Sequence, residues 1–277
     1  MQASSKFIAE AAEKSRELQR RLSARLSRQS VSFSDELDIR SPELMPLICY
    51  PRFSESEYND RIAEMESLGV TSISPGGRTT INGFRVAGKG HVGLVLRAKI
   101  GGKACALKIR RVDADRKSMD GEVRLHTMAN DAGVGPRLEG HSKNLIAMEF
   151  VDGYSIIDWV KGATKDRLRK MARLVLEQCY SLDRAGLDHG ELSRLNRHVI
   201  IVSDRPYIID FESASTARKT SNVTAAAQSI FLHGAIAEIM VKRTLQTDRE
   251  KALTALKTYK RDQTRTNFDA VLDSLPV

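Results

Sequence analysis

The sequence predicts an α+β chain in two parts, a small β-rich part and a compact helical part behind it, preceded by a helical N-terminal extension. Three observations carry this expectation. Between Thr79 and Met148 the apolar residues fall in short β-rich runs, TTINGFRVAGKG, HVGLVLRAKI, KACALKIRR and NLIAMEF, broken by a single helix-like stretch. From Thr164 onward Leu168, Met171, Ala172, Val175, Leu176, Cys179 and Leu182 recur on one face of a helix until Gly186 stops it. With 277 residues, 41% of them apolar and 29% charged, the chain can bury a core without disulfides, and its composition is neither that of a disordered chain nor that of a collagen or a disulfide scaffold.

Four stretches follow in order. Residues 1–40 are rich in Ser, Arg and Glu, with Leu18, Leu22 and Leu26 at i, i+4 spacing, which predicts an amphipathic helix followed by a mobile polar linker. Residues 41–78 open on Ser-Pro-Glu and carry SESEYNDRIAEMESLG, a helical element with Gly69 as its stop. Residues 79–148 form the sheet with one helix, KSMDGEVRLHTMAND, ended by AGVGP. Residues 149–277 hold the helical part, in which HVIIV and YIID are two strands joined by the turn SDRP.

No apolar run reaches the roughly 18 residues of a membrane helix and the N-terminus lacks a signal-like apolar core, so a cytoplasmic protein without membrane contact is expected. Cys49, Cys105 and Cys179 stand far apart with no C-x-x-C, which predicts buried free thiols. The net charge of +9 is compatible with attraction to polyphosphates or nucleic acid. Part of it is concentrated between Lys242 and Arg265, where eight Lys or Arg stand against three acidic residues; a solvated helix face and an RNA or ribonucleoprotein contact both account for it.

The residues with chemical potential begin at Gly88. Gly88-Lys89-Gly90-His91-Val92-Gly93-Leu94-Val95 reads G-x-G-x-x-G-x-V between two strand-like runs, as a hairpin tip. An ordinary hairpin uses glycines too, but this placement favours a loop whose backbone amides approach phosphate oxygens. Such a loop needs a lysine on the following strand, and Lys108 stands twenty residues after Gly88 at the end of an apolar run. The lysine in turn needs a carboxylate, and Glu122, on the predicted helix, is the only glutamate between Lys108 and Glu139. A surface lysine and a solvated glutamate are the plainer alternatives.

The most informative segment is His189-Gly190-Glu191-Leu192-Ser193-Arg194-Leu195-Asn196, followed after a strand pair by Ile208-Ile209-Asp210-Phe211-Glu212. Phosphoryl transfer needs a carboxylate to orient or deprotonate the attacking hydroxyl, and oxygen donors to hold magnesium against the phosphates. Glu191, Asn196 and Asp210 can fill those roles, and His198 competes with Asn196 for the second metal position.

Taken together, HGELSRLN, AGVGP and MEFVDG resemble the RIO family, the small kinase of the KEOPS complex and an uncharacterised archaeal group of predicted Ser/Thr kinases, over roughly residues 80–240. The resemblance implies a two-lobed protein-kinase-like fold that binds ATP with Mg2+ in the interlobe cleft. It further implies that Met148, Glu149 and Val151 form the hinge that meets adenine, and that Lys108, Glu122, Asn196 and Asp210 hold phosphates and metal. Met148 is equally a plain core methionine. The sequence departs from the family at Glu191, where an aspartate is usual, and at Asp210-Phe211-Glu212, which lacks the glycine of a flexible metal loop. The 67 residues after Asp210 contain no A-P-E, which leaves no room for a regulated activation segment.

The expected activity is that of a serine/threonine protein kinase-like phosphotransferase acting on a protein or on itself, or hydrolysing ATP. IDFES also resembles aminoglycoside and choline phosphotransferases, which gives a small-molecule kinase as an alternative. A nucleotide-sensing scaffold in RNA or ribosome maintenance is the non-catalytic one.

Overall fold

A computed structural model describes residues 36–277, so the expected amphipathic helix around Leu18, Leu22 and Leu26 lies outside the described residues. The described chain packs as two units. The first takes in the residues up to Asp120 together with Leu138–Phe150, and the second comprises Gly121–Arg137 and Val151–Val277.

In the first unit a short 3-10 turn, Pro42–Leu44, runs into α1 (Met45–Ile48), and α2 follows (Glu55–Ser67). Ser54 caps α2 by accepting from the Glu57 amide, and Gly69 ends it at φ 72°. Strands also form outside the expected sheet: β1 (Leu37–Asp38), at the end of the stretch expected to be a mobile polar linker, pairs with β2 (Val70–Ser74), in the stretch expected to be helical, and β2 continues onto the main sheet. Val70, Ser72 and Ile73 are buried and Thr71 exposed, with an irregular register between Val70 and Ser72, so the strand shows no clean alternation in the sequence.

A separate hairpin, β3 (Thr79–Ile81) and β4 (Phe84–Val86), turns at Asn82-Gly83 with positive φ at both positions. The main sheet then adds β5 (Gly88–Lys89), β6 (Gly93–Ile100) and β7 (Lys103–Arg110). After the helix segment it is completed by β8 (Leu138–His141) and β9 (Leu145–Glu149). The order is β1-β2-β6-β7-β9-β8, with β5 on β6, and the pairs are antiparallel. One face of this sheet, with Leu94, Leu96, Leu107, Ile109, Leu145 and Ala147, packs on Leu47, Ile62 and Met65 of the preceding helices.

Polar contacts lash α2 to the same sheet. Glu64 accepts from the Asn144 amide at 2.9 Å and from its side-chain Nδ2 at 2.6 Å, while Asn144 Oδ1 accepts from Arg110 Nε at 2.8 Å. Arg61, wholly buried, donates to the Ile48 carbonyl at 2.5 Å and pairs with Glu57 one turn away at 2.9 Å. The residues 41–78 therefore belong structurally to the strands that follow them.

In the second unit, α3 (Asp120–Asp131) presents Leu125 and Ala129 to a core it shares with Val134, Phe211 and the following helices. Although counted with the strands in the sequence, α3 packs with this unit from Gly121 onward. Strand β10 (Tyr154–Ser155) precedes α4 (Ile156–Gly162) and the long α5 (Lys165–Arg184), whose N-cap is Thr164. All seven apolar positions expected on one face of α5 are buried, and Gly186 leaves the helix at φ 70°. A 3-10 turn, Leu192–Arg194, and α6 (Leu195–His198) lead into β11 (Val199–Val202) and β12 (Arg205–Ile208).

The β11–β12 turn is tighter than expected. Ser203 and Asp204 alone make it, with φ 46° and 67°, and Arg167 pins Asp204 at 2.9 Å. Pro206 is not in the turn but in β12, an edge strand, where its missing N–H breaks no ladder bond.

The chain closes with α7 (Asn222–Ala227), α8 (Gly234–Lys242), α9 (Arg249–Arg261) and α10 (Arg265–Asp273). Buried Asp183 ties α5 to two of these helices, accepting from the Asn222 amide at 3.0 Å and the Val223 amide at 3.2 Å on α7 and from the Tyr259 hydroxyl at 2.9 Å on α9. Phe268 stacks on Tyr180 with ring centroids 4.5 Å apart.

The three cysteines are buried free thiols, as expected, and burial pushes Cys105 up to about 12. Among the described residues no single helix is long and apolar enough to cross a membrane.

Candidate active site

In the first unit the glycine stretch is the tip of the β5–β6 hairpin. Gly88 pairs with Val95 and Lys89 with Leu94, and the Gly90 amide donates to the Gly93 carbonyl at 2.8 Å to close the turn. Gly93 is required by close approach: a Cβ there would stand 2.9 Å from the Ile109 carbonyl and 3.1 Å from Lys108 Cγ. The missing side chain thus makes room for the lysine. Lys108, 4% exposed, sits on β7 with Val95 opposite it on β6 and Ile146 opposite it on β9.

That register gives the sheet a second face. Val95, Lys108 and Ile146 form one row across it, and Arg97, Ala106 and Met148 form the next. Met148 therefore shares a face with Lys108, away from the apolar core, which counts against its being a plain core methionine. Ala106 and Ile146 share this face too, although no motif marks them; counting by twos from Lys108 and across the strands places them there. Glu149 ends β9, and the chain passes from the first unit to the second between Phe150 and Val151, inside the stretch expected to be a hinge.

In the second unit Glu122 lies on α3 and is 3% exposed, not solvated as its plainer alternative would have it. The β11–β12 register places Val199 opposite Ile208, and the Ile209 amide donates to the His198 carbonyl at 2.9 Å. The segment with Asn196 and the segment with Asp210 therefore leave the hairpin at the same end. Asn196 is exposed. His198 is buried, its ring edge-on to His189 at 5.3 Å, so of the two metal candidates Asn196 is the one open to solvent.

Asp210 is exposed and held at φ 70°, a left-handed conformation uncommon for aspartate. Its neighbour Phe211 anchors it, fully buried, against His126 at 5.0 Å and His189 at 5.3 Å. Gly135 lies under the same ring, where a Cβ would come within 2.8 Å of Phe211 Cε2. AGVGP thus ends a helix and also seats the phenylalanine.

Glu191 is partly exposed, with a carboxylate oxygen 3.5 Å from Arg194 Nη1 and 3.9 Å from His198 Nε2. Its loop is tied to the segment after Asp210. Asp188 and Ser215 exchange backbone hydrogen bonds at 2.9 and 2.8 Å, and Arg218 donates from Nε to Asp188 at 2.9 Å and from Nη2 to the Ser213 carbonyl at 2.6 Å. Gly190, at φ 85°, faces this guanidinium, and a Cβ there would stand 2.5 Å from Arg218 Nη2. Sequence reasoning missed Arg218, which has no motif of its own. His189 underlies the loop: its amide donates to Asn222 Oδ1 and its Nε2 to the Ile209 carbonyl, and burial drives its pKa down to about 4.

The oxygen donors of Asn196 and Asp210 are of the hard kind that suits magnesium, which is usually held by one or two carboxylates together with substrate phosphates. Among the described residues no group of three or more His, Cys, Asp and Glu gathers as a metal cage.

A sheet unit with a glycine hairpin and a buried lysine, joined to a helical unit with an acidic loop and an exposed aspartate beyond a strand pair, is the kinase-like class of fold. The RIO domain family matches residues 100–225. A Methanocaldococcus jannaschii protein described as uncharacterized is 37% identical over 91 residues, which span 33% of this chain and 78% of that protein. The chain belongs to the RIO-domain family of atypical kinases. The matched residues include Lys108, Glu122, Met148, Glu191, Asn196 and Asp210, whereas the glycine hairpin precedes them.

Proposed function

We propose that the protein is an ATP- and magnesium-dependent Ser/Thr phosphotransferase of minimal RIO type, with a protein or the chain itself as acceptor. The hairpin register that brings Asn196 and Asp210 out at one end, next to the Glu191 loop bonded to residues 213–218, supports this best. Gly88, Lys89, Gly90 and Gly93 cover the phosphates, Lys108 neutralises them with Glu122 as its counter-ion, and Val95, Met148, Glu149 and Val151 serve the adenine. Asn196 and Asp210 hold the metal, which offsets phosphate charge. Glu191 orients or deprotonates the acceptor hydroxyl through a side chain one methylene longer than the family's aspartate, which makes catalysis slow.

The basic C-terminal stretch is the proposed RNA or ribonucleoprotein contact. Arg265 is already engaged with Glu177 and Asp269, and Arg243 with the Lys161 carbonyl, so exposed Lys257, Lys260 and Arg261 carry that proposal.

Transfer of labelled phosphate from ATP to the chain itself and to a basic protein tests the enzyme directly. Asp210→Asn abolishes transfer, and Glu191→Gln lowers it by about a hundredfold to ten-thousandfold while ATP still binds. Equal, background-level transfer by wild type and both variants, with ATP bound tightly, would instead identify a nucleotide-sensing scaffold.

A further inference from the structure

The glycine hairpin is held from below by a residue outside the RIO-matched region. Tyr50, in the turn after α1, lies under two cations: Lys89 Nζ is 5.0 Å from its ring centroid and Arg111 Cζ is 5.3 Å from it. Lys89 is a residue of the hairpin itself. Arg111 is bonded to the hairpin tip, its amide donating to the Val92 carbonyl at 2.7 Å and its Nη1 to the Gly90 carbonyl at 3.3 Å. Asp113 holds the other edge of the Arg111 guanidinium with bonds of 2.9 and 2.8 Å, and the Val112 amide donates to the Tyr50 carbonyl at 2.9 Å.

A ring face attracts cations through its quadrupole, and one ring shared by two like charges lets them stand near each other without a second carboxylate. The consequence is mechanical. Tyr50 is fixed to the chain after β7 through the backbone, and it fixes the tip through both cations. A loop that covers phosphates by backbone amides depends on its height over the sheet, and these contacts set that height.

We infer that Tyr50 is a positioning residue for the glycine-rich loop, through which the helical element before the sheet sets affinity for the phosphate end of the nucleotide. The inference rests on the nucleotide role proposed for that loop. It assigns the residues around α1 and α2 a part in ligand binding, beyond the packing they supply to the core.

The test compares full-length wild type with Tyr50→Leu, Tyr50→Phe and Arg111→Gln, measuring affinity for ATP with magnesium, affinity for adenosine, and amide exchange at Gly90. Tyr50→Leu and Arg111→Gln are expected to weaken ATP by about fivefold. Adenosine, which has no phosphates for the loop to cover, is expected to bind all variants alike. Tyr50→Phe keeps the ring and is expected to match wild type in every measurement. Exchange at the Gly90 amide, bonded to Gly93 in the closed turn, is expected to quicken in the two weakened variants. If Tyr50→Leu does not fold, Arg111→Gln, altered at a partly exposed site, carries the same expectation. Wild type binding ATP while both variants bind it equally overturns the inference alone, as does a parallel loss of ATP and adenosine. Wild type binding neither ATP nor ADP overturns the nucleotide role and the inference with it.

Discussion

At the scale of single residues, the site is built from close approaches and buried rings as much as from charged groups. Gly93 leaves space that Lys108 occupies, so Gly93→Ala forces the β6 and β7 backbones apart or moves the lysine. Overpacking of this kind costs about 1–3 kcal/mol, and thermal unfolding should register it together with weaker ATP binding in a titration. His189 gives a pH dependence of definite sign. Its folded pKa, about 4, lies below the ordinary histidine value, because burial disfavours the charged ring. The stability it confers is full above about pH 6.5 and is lost as the pH falls toward 4, by about 3 kcal/mol in all. Asp183, whose carboxyl burial pushes upward, acts in the opposite sense in the acid range. Denaturant unfolding at pH 7 and pH 4.5 should show His189→Gln losing less stability on acidification than wild type does.

Single elements show what a sequence makes legible. The α5 helix could be read in full because seven apolar residues at helical spacing, a threonine cap and a terminal glycine agree with one another. The pairing of the β11 and β12 runs was equally legible, but not the exact turn, since Pro206 looks like a turn residue until the edge position of its strand is known. β2 and β8 were missed: each is short and half polar, β2 borrows its stability from β6, distant in sequence, and β8 pairs with the adjacent β9 through an irregular register. Among the candidate site residues, Lys108, Glu122, Glu191, Asn196 and Asp210 stand out in the sequence by type and order. Arg218 does not, because its importance comes from bonds to Asp188 and Ser213 that only the folded loop creates. Arg218 staples the Glu191 loop to the segment beyond Asp210, so Arg218→Ala should lower kcat by about tenfold to a hundredfold with KM for ATP unchanged, and Arg218→Lys should recover part of the loss. Steady-state phosphate release resolves kcat from KM and checks both outcomes.

On the scale of the whole molecule, the two units divide the proposed work. The sheet unit contributes the glycine hairpin, its brace at Tyr50, and the row of Val95, Lys108 and Ile146. The helical unit contributes Glu191, Asn196 on α6, and Asp210, on segments whose backbones are bonded to one another. RIO membership makes the chain kinase-like, and the residues proposed for phosphoryl transfer depart from the family pattern at Glu191 and at Glu212, where the glycine of the metal loop is usual. Calorimetric titration of the full-length protein with ATP, with and without magnesium, tests this account most directly. It predicts saturable binding that strengthens with magnesium, a raised melting temperature at saturation, and loss of the magnesium effect in Asp210→Asn. Neither ATP nor ADP binding at millimolar concentration with magnesium present would contradict it.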